Sequence, residues 1–172
     1  MFRVILVLLA IISLSLACQE GESLCDHGDF GSCGNACCKL TFAVPLVTEK
    51  TMAQLNATLH TGGPDQLYSA QPTAEGTSGF ADLRPYSKPV DFIGQGFHKT
   101  TNGLYTDTIN FTIAPVDGGS SSVINAFSLS QIGGAYGDDG QNYWNLVTLV
   151  QAAFEDAEPQ NVDGSCPAPA SA

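Results

Sequence analysis

The chain has 172 residues, 17 acidic against six basic, with a formal charge of −11 and 44% hydrophobic residues. That apolar share suffices for a core and argues against wholesale disorder, and the length suits one domain. So acidic a field repels phosphate backbones, which argues against nucleic acid as a partner.

Residues 1–17 carry Arg3, the apolar run 4–12, and Ser15 and Ala17 at small-residue cleavage positions. This reads as a secretory signal peptide, too short to span a bilayer. No later segment approaches spanning length, so no transmembrane segment is expected and the expected localisation is extracellular. Cleavage removes Arg3 and leaves Cys18, Cys25, Cys33, Cys37, Cys38 and Cys166. An even count in an oxidising compartment reads as a set of disulfides. Five of the six crowd into 18–38, and an odd cluster cannot close on itself. Cys166 is therefore expected to bridge back to the N-terminal cluster. Adjacent cysteines such as Cys37 and Cys38 rarely bridge each other. One of those two, or Cys18, is the expected partner, and spacing does not choose. A zinc site within Cys33, Cys37 and Cys38 is less favoured than bridges in a secreted chain.

Segment 18–39 has no periodicity and reads as a disulfide-stapled arm, followed by a single α+β domain over 40–157. Residues 40–46 suit a short strand. Thr48 is expected to cap a helix running to about His60, with Val47 and Met52 as a hydrophobic staple and Met52, Leu55 and Leu59 as the buried stripe. Gly62, Gly63 and Pro64 end that helix. Residues 64–89 are the least regular, and a structureless loop of that length is unusual in a compact domain, so one or two short strands are expected there.

Residues 91–98 form a strand candidate in which Gly94 and Gly96 suggest a bend or bulge. Asn102 and Gly103 then make a strong hairpin signal. In the next strand, 104–113, Ile109, Phe111 and Ile113 alternate with Thr108, Asn110 and Thr112. Pro115 and the run Asp117, Gly118, Gly119 turn the chain into a strand over 121–130, completing a three-strand antiparallel meander. Asp139 is the expected N-cap of a helix over 142–156, whose face is Tyr143, Leu146, Val147, Val150, Ala153 and Phe154. A Pro/Ala-rich tail, 158–172, is tethered by Cys166. The expected fold is α+β: an antiparallel sheet of about four or five strands with both helices on one face.

The segment around the last strand and helix resembles the domain-of-unknown-function family 1499. In that family a strand ending Ser-x-Ser-Arg leads into Asp-x-Gly-x-Asn and a closing helix. Ser128 and Ser130, then Asp138, Gly140 and Asn142, stand here in that order. Asp107 is similarly placed at the head of the preceding strand. The resemblance covers roughly residues 41–154. The family's arginines after Ser-x-Ser and after Asn are replaced here by Gln131 and Tyr143. The resemblance implies the closing strand-and-helix arrangement and no settled activity.

Function is less legible than fold. No Gly-x-Ser-x-Gly elbow, His-Glu-x-x-His pair or phosphate loop is present. Among His27, His60 and His98, only His98 lies near the meander, and a hydrolase using it is the weaker alternative. Asp138, Asp139 and Asn142 lack the pattern of a calcium loop, and no metal or cofactor is expected. The favoured reading is a secreted, non-enzymatic protein whose cleft between sheet and helices holds a small apolar ligand or lipid, lined by Phe92, Phe97, His98, Phe111 and Phe127. An extracellular structural or surface-interaction module is the main rival. Sequons occur at Asn56 and Asn110, of which Asn110, on the polar side of its strand, is the better glycan acceptor. Oligomeric state is left open.

Overall fold

The computed structural model describes residues 36–71, 79–132, 135, 137–162 and 164–166. The expected signal peptide, the arm up to residue 35, and Cys18, Cys25 and Cys33 lie outside the described residues. The elements in chain order are β1 (Cys37–Val44), α1 (Thr48–His60), β2 (Tyr68–Ala70), β3 (Phe80–Asp82), β4 (Phe92–Lys99), β5 (Thr106–Val116), β6 (Ser121–Ser130), α2 (Gln141–Ala153) and β7 (Pro159–Asn161).

The strands form one antiparallel sheet in the order β2-β4-β5-β6-β1-β7, with β3 following β2 along the same edge of β4. The meander β4-β5-β6 is its centre. Strict alternation explains why: Ile109, Phe111 and Ile113 on β5, and Ile124 and Ala126 on β6, point to one face and are buried. β1 adds Cys38, Leu40, Phe42 and Val44 to the same face. Leu55 and Leu59 of α1, and Leu146, Leu149 and Val150 of α2, join these residues in one continuous core. Both helices thus cover the same face, and the Gln54 side chain donates to the Ala153 carbonyl at 2.5 Å, tying α1 to the end of α2.

Seven strands exceed the four or five expected. β2 and β3 are the short strands expected within 64–89, and β7 is the one not expected; each has three residues, too few for a period-2 pattern to place it. β1 begins at Cys37, inside what reads as the cysteine-rich arm, because Cys38 faces the core and Cys37 faces out. β7 likewise lies in the expected tail, where Asn161 pairs with Leu40 of β1. β5 runs through Pro115 to Val116, past the expected turn.

Two local expectations are corrected. Thr48 does not cap α1: the N-cap position is Val47, without a side-chain bond, and the Thr48 hydroxyl instead donates to Asp91 at 2.6 Å. Nor do Gly94 and Gly96 make a bulge, since β4 pairs without interruption through both, Gly94 opposite Phe111 and Gly96 opposite Ile109. Both glycines face the core, and a Cβ on Gly94 would lie 2.5 Å from the Phe80 ring, which stacks on Phe111 at 5.9 Å. The glycine is there for space.

Cys166 bridges to Cys38, across 128 residues of chain. Of the open alternatives it is the inward-facing one, beside the edge where β7 brings the C-terminal segment. Ser165 reinforces the join, its hydroxyl accepting the Lys39 amide at 3.0 Å. A loop of that length gives about 4–5 kcal/mol of stabilisation in the chain-entropy model. Cys37 is disulfide-bonded as well.

Gly94→Ala drives a methyl group into the Phe80 ring and is expected to cost about 1–3 kcal/mol, as overpacking does. Urea unfolding measures it, and an unchanged midpoint would show that the Phe80 ring moves aside freely.

Candidate functional site

Where the apolar inward row of the sheet ends, a polar one begins. The inward positions at the start of β5 and the end of β6 are Asp107, Ser128 and Ser130, with Asp107 opposite Ser130. The first turns of α2 lay Asn142 and Asn145, three residues apart and on one helical face, directly over them. All five are buried, Ser128 and Asn145 completely.

Polar atoms so placed need partners, and they have them. The Asn145 amide donates to Asp107 Oδ2 at 2.8 Å and to Ser128 Oγ at 3.2 Å. Ser128 donates to Asn142 Oδ1 at 2.6 Å. The Asn142 amide donates to Ser130 Oγ and to the Ala36 carbonyl, both at 3.0 Å. Ser130 also bonds Asp107. The Gln141 amide donates to Asn145 Oδ1 at 2.7 Å, and the Tyr68 hydroxyl donates to the Asn145 carbonyl at 3.0 Å.

Asp138, not Asp139, caps α2. Its Oδ2 accepts the Asn142 amide at 2.6 Å and its Oδ1 the Gly140 amide at 3.2 Å. Asp139 sits at φ 52° and Gly140 at φ 83°, so these two residues make the left-handed turn into the helix, which starts one residue earlier than expected, at Gln141. With two adjacent aspartates, sequence alone does not show which one turns back.

Burial pushes the Asp107 carboxyl above the ordinary aspartate range; its bonds from Asn145 and Ser130 and the nearby His98 oppose this, while Asp138 adds to it. Burial also raises the Tyr68 hydroxyl, with the charge of Asp65 adding to the effect, so it acts as a protonated donor. The Tyr68 ring packs at 4.4 Å from His98, whose Nε2 meets Asp65 at 2.9 Å. His98 Nδ1 is buried without a partner.

A cavity of about 400 Å³ opens beside this network. Asp107 and Ser130 line its floor, Asp138, Asp139 and Gln141 one wall, and Thr100, Tyr105 and Ile132 the other. A second cavity, of about 580 Å³, lies at the opposite end between Val44–Leu46 and the residues that close α2.

The five residues expected to line an apolar cleft do not come together. Phe92, Phe111 and His98 point inward, the two phenylalanines being core. Phe97 and Phe127 occupy outward positions on the other face. None of the five lines either cavity. The positions that carry the family resemblance, Asp107, Ser128, Ser130, Asp138, Gly140 and Asn142, do converge. Sequence reasoning passed over Asn145, although a wholly polar side chain within an apolar helical stripe is the available signal. It also passed over Tyr68, Asp65 and Gln141, which long-range folding delivers.

Ser130 engages Asn142 and Asp107 while His98 engages Asp65, so these groups are not aligned as nucleophile and base. Among the described residues no group of three or more His, Cys, Asp or Glu side chains is placed to hold a metal ion. No described helix is long and apolar enough to cross a membrane. The sequon residue Asn110 faces outward and accepts from Gln95 at 2.7 Å, whereas Asn56 has its Oδ1 buried without a hydrogen bond. Compared with family models, with curated proteins and with solved structures, the chain shows no match.

Asp138→Ala removes the cap and is expected to cost about 1 kcal/mol, whereas Asp139→Gly, which suits the left-handed backbone, leaves stability unchanged or slightly higher. Denaturation midpoints of the two variants decide it, and the reverse order would restore Asp139 as the cap.

Asp107 holds its proton more tightly folded than unfolded, so stability falls as pH rises from the ordinary aspartate value of 3.8 through the folded one. Asp107→Asn lacks this loss. The difference in unfolding free energy between variant and wild type is therefore expected to move in the variant's favour as pH is raised across that window; a pH-independent difference would contradict the assignment.

Proposed function

We propose that this chain is an extracellular, non-enzymatic binding protein that takes a small amine-bearing ligand in the cavity floored by Asp107. The observation that carries the reading is a nearly fully buried carboxyl lining a cavity whose wall holds two more, Asp138 and Asp139. An ammonium group entering there meets opposite charge in partly desolvated surroundings and favours the ionised form of Asp107. Half-exposed Tyr105 and Ile132 at the rim offer an aromatic face to the cation and an apolar surface to the body of the ligand. This chemistry fits a cationic amphiphile better than the wholly apolar ligand or lipid that the sequence suggests. The arrangement of Ser130, Asp107 and His98 supports binding over hydrolysis.

The convergence of the six resemblance positions supports a further reading, that the chain is a distant relative of family 1499. In that reading the buried Asp–Ser–Asn network is the shared scaffold, and the absence of arginine at Gln131 and Tyr143 goes with a cavity suited to cations.

A panel of small primary and quaternary amines, with uncharged isosteres as controls, tests the binding reading by thermal shift and calorimetry. A ligand at about a hundred times its Kd raises stability by about 2.7 kcal/mol. Amines are expected to raise Tm and isosteres not, with the shift reduced in Asp107→Asn and in the rim variant Asp139→Asn. Binding of lipids but not amines would return the apolar reading, and no binding at all would favour a structural module.

A further inference from the structure

Among the described residues seven large hydrophobic side chains are exposed, and three of them gather at the mouth of the cavity floored by Asp107. Tyr105 and Ile132 line that cavity and are 48% and 44% exposed. Leu104, beside Tyr105 in the β4–β5 turn, is 71% exposed. A fourth, Trp144, is 42% exposed one helical turn beyond Gln141, which forms part of the cavity wall. Single exposed apolar residues are ordinary, but a cluster around a cavity marks a surface that something covers in use.

The turn that carries Leu104 is preformed. The Thr100 hydroxyl donates to Asn102 Oδ1 at 2.7 Å, and the same oxygen accepts the Leu104 amide at 3.0 Å. Thr100 Oγ1 in turn accepts the Tyr105 amide at 3.1 Å. These side-chain bonds hold the loop, so Leu104 is kept in water and not folded back onto the core.

Two chemistries therefore meet at this end of the molecule. Asp107, Asp138 and Asp139 are recessed, and the apolar and aromatic residues stand around or beside them. Tyrosine and tryptophan are the side chains that settle where lipid meets water. A bilayer of choline lipid offers the complement in the matching order, with ammonium groups outermost and acyl chains beneath. A projecting rim then reaches the chains while the recess takes the cation. A quaternary ammonium suits a carboxylate beside an aromatic ring, as Asp107 and Tyr105 provide. The charge of the chain, −11, opposes approach to an anionic leaflet but not to a zwitterionic one.

We propose that this end of the molecule docks on membranes of zwitterionic choline lipid. The choline nitrogen enters the Asp107 cavity while Leu104, Tyr105, Ile132 and Trp144 settle into the interface. This rests on the amine-binding reading above and names its ligand, a headgroup presented by a bilayer.

Trp144 is the only tryptophan in the chain, so its fluorescence reports docking directly. Phosphatidylcholine vesicles are expected to shift its emission to the blue, shield it from acrylamide and carry the oxidised chain down on sedimentation. Phosphatidylglycerol vesicles, anionic and without an amine, are expected to do none of these. Soluble phosphocholine is expected to bind by calorimetry and to compete with the vesicles. Leu104→Ser is expected to cut vesicle partitioning several-fold and to leave phosphocholine binding unchanged, whereas Asp139→Asn weakens both. Phosphocholine binding without vesicle binding, or full partitioning of Leu104→Ser, would overturn the docking and leave the amine reading standing. Vesicle binding that ignores phosphocholine and Asp139→Asn, or that extends to phosphatidylglycerol, would overturn the headgroup contact. Binding of neither vesicles nor any soluble amine would remove the amine reading and the docking with it.

Discussion

The Asn145 side chain holds sheet and helix together where apolar packing gives out. It donates at once to Asp107 on β5 and Ser128 on β6, and its own oxygen is satisfied by Gln141. Without it, the fully buried Ser128 hydroxyl would lose a donor and the Asp107 carboxyl one of its two side-chain bonds. Because hydrogen bonds are directional, the network also fixes which turn of α2 lies over which residue of the sheet, something interchangeable leucines specify less sharply. The helix register then places the Asp138 turn, and that turn forms a wall of the cavity beside Asp107.

The network is continuous with the covalent tie. Ser128 stands opposite Cys38 in the ladder, so the polar cluster, the first strand and the Cys38–Cys166 bridge share one row across the sheet. Ala36, the residue before that strand, accepts both the Asn142 side chain and the Ser130 amide, each at 3.0 Å. The beginning and end of the folded domain therefore meet at the same end of the sheet where α2 begins. Thr51 and Ser122, 2.8 Å apart in the interior, make a smaller polar join of the same type under α1.

The central meander is legible in the sequence because β5 and β6 are long enough for alternation to declare itself, and α1 because glycines and a proline bound its stripe. The three-residue strands are legible only in part: β2 and β3 are expected because a long structureless loop is unusual, but their places, and β7 altogether, depend on β4 and β1 offering edges to pair with. Gly94 reads as a bulge from sequence because a missing side chain looks the same whether it serves backbone bending or a neighbour's ring; only the position of Phe80 tells them apart. At the candidate site, Asp107, Ser128, Ser130, Asp138 and Asn142 are visible through the resemblance. The expected aromatic lining was misplaced because proximity in sequence was read as a shared surface, although Phe92 and Phe97 are five residues apart on one strand and so point to opposite sides. Asn145 and Tyr68 become meaningful only once the sheet is closed by α2.

The edges of the sheet draw a further consequence from the short strands. β1 pairs with β6 along one side, and its other edge would otherwise lie open for eight residues with four alternating apolar side chains, which is a template for adding a foreign strand and so for growing a fibril. β7 occupies three of those positions, and the bridge at Cys38 keeps it there. On the far side β2 and β3 divide the length of β4 between them. Neither border is left as a long straight ribbon. The Cys38–Cys166 bond thus does more than restrict the unfolded chain: it guards the native molecule against its neighbours, and a reducing environment would put colloidal stability at risk before the central strands had opened.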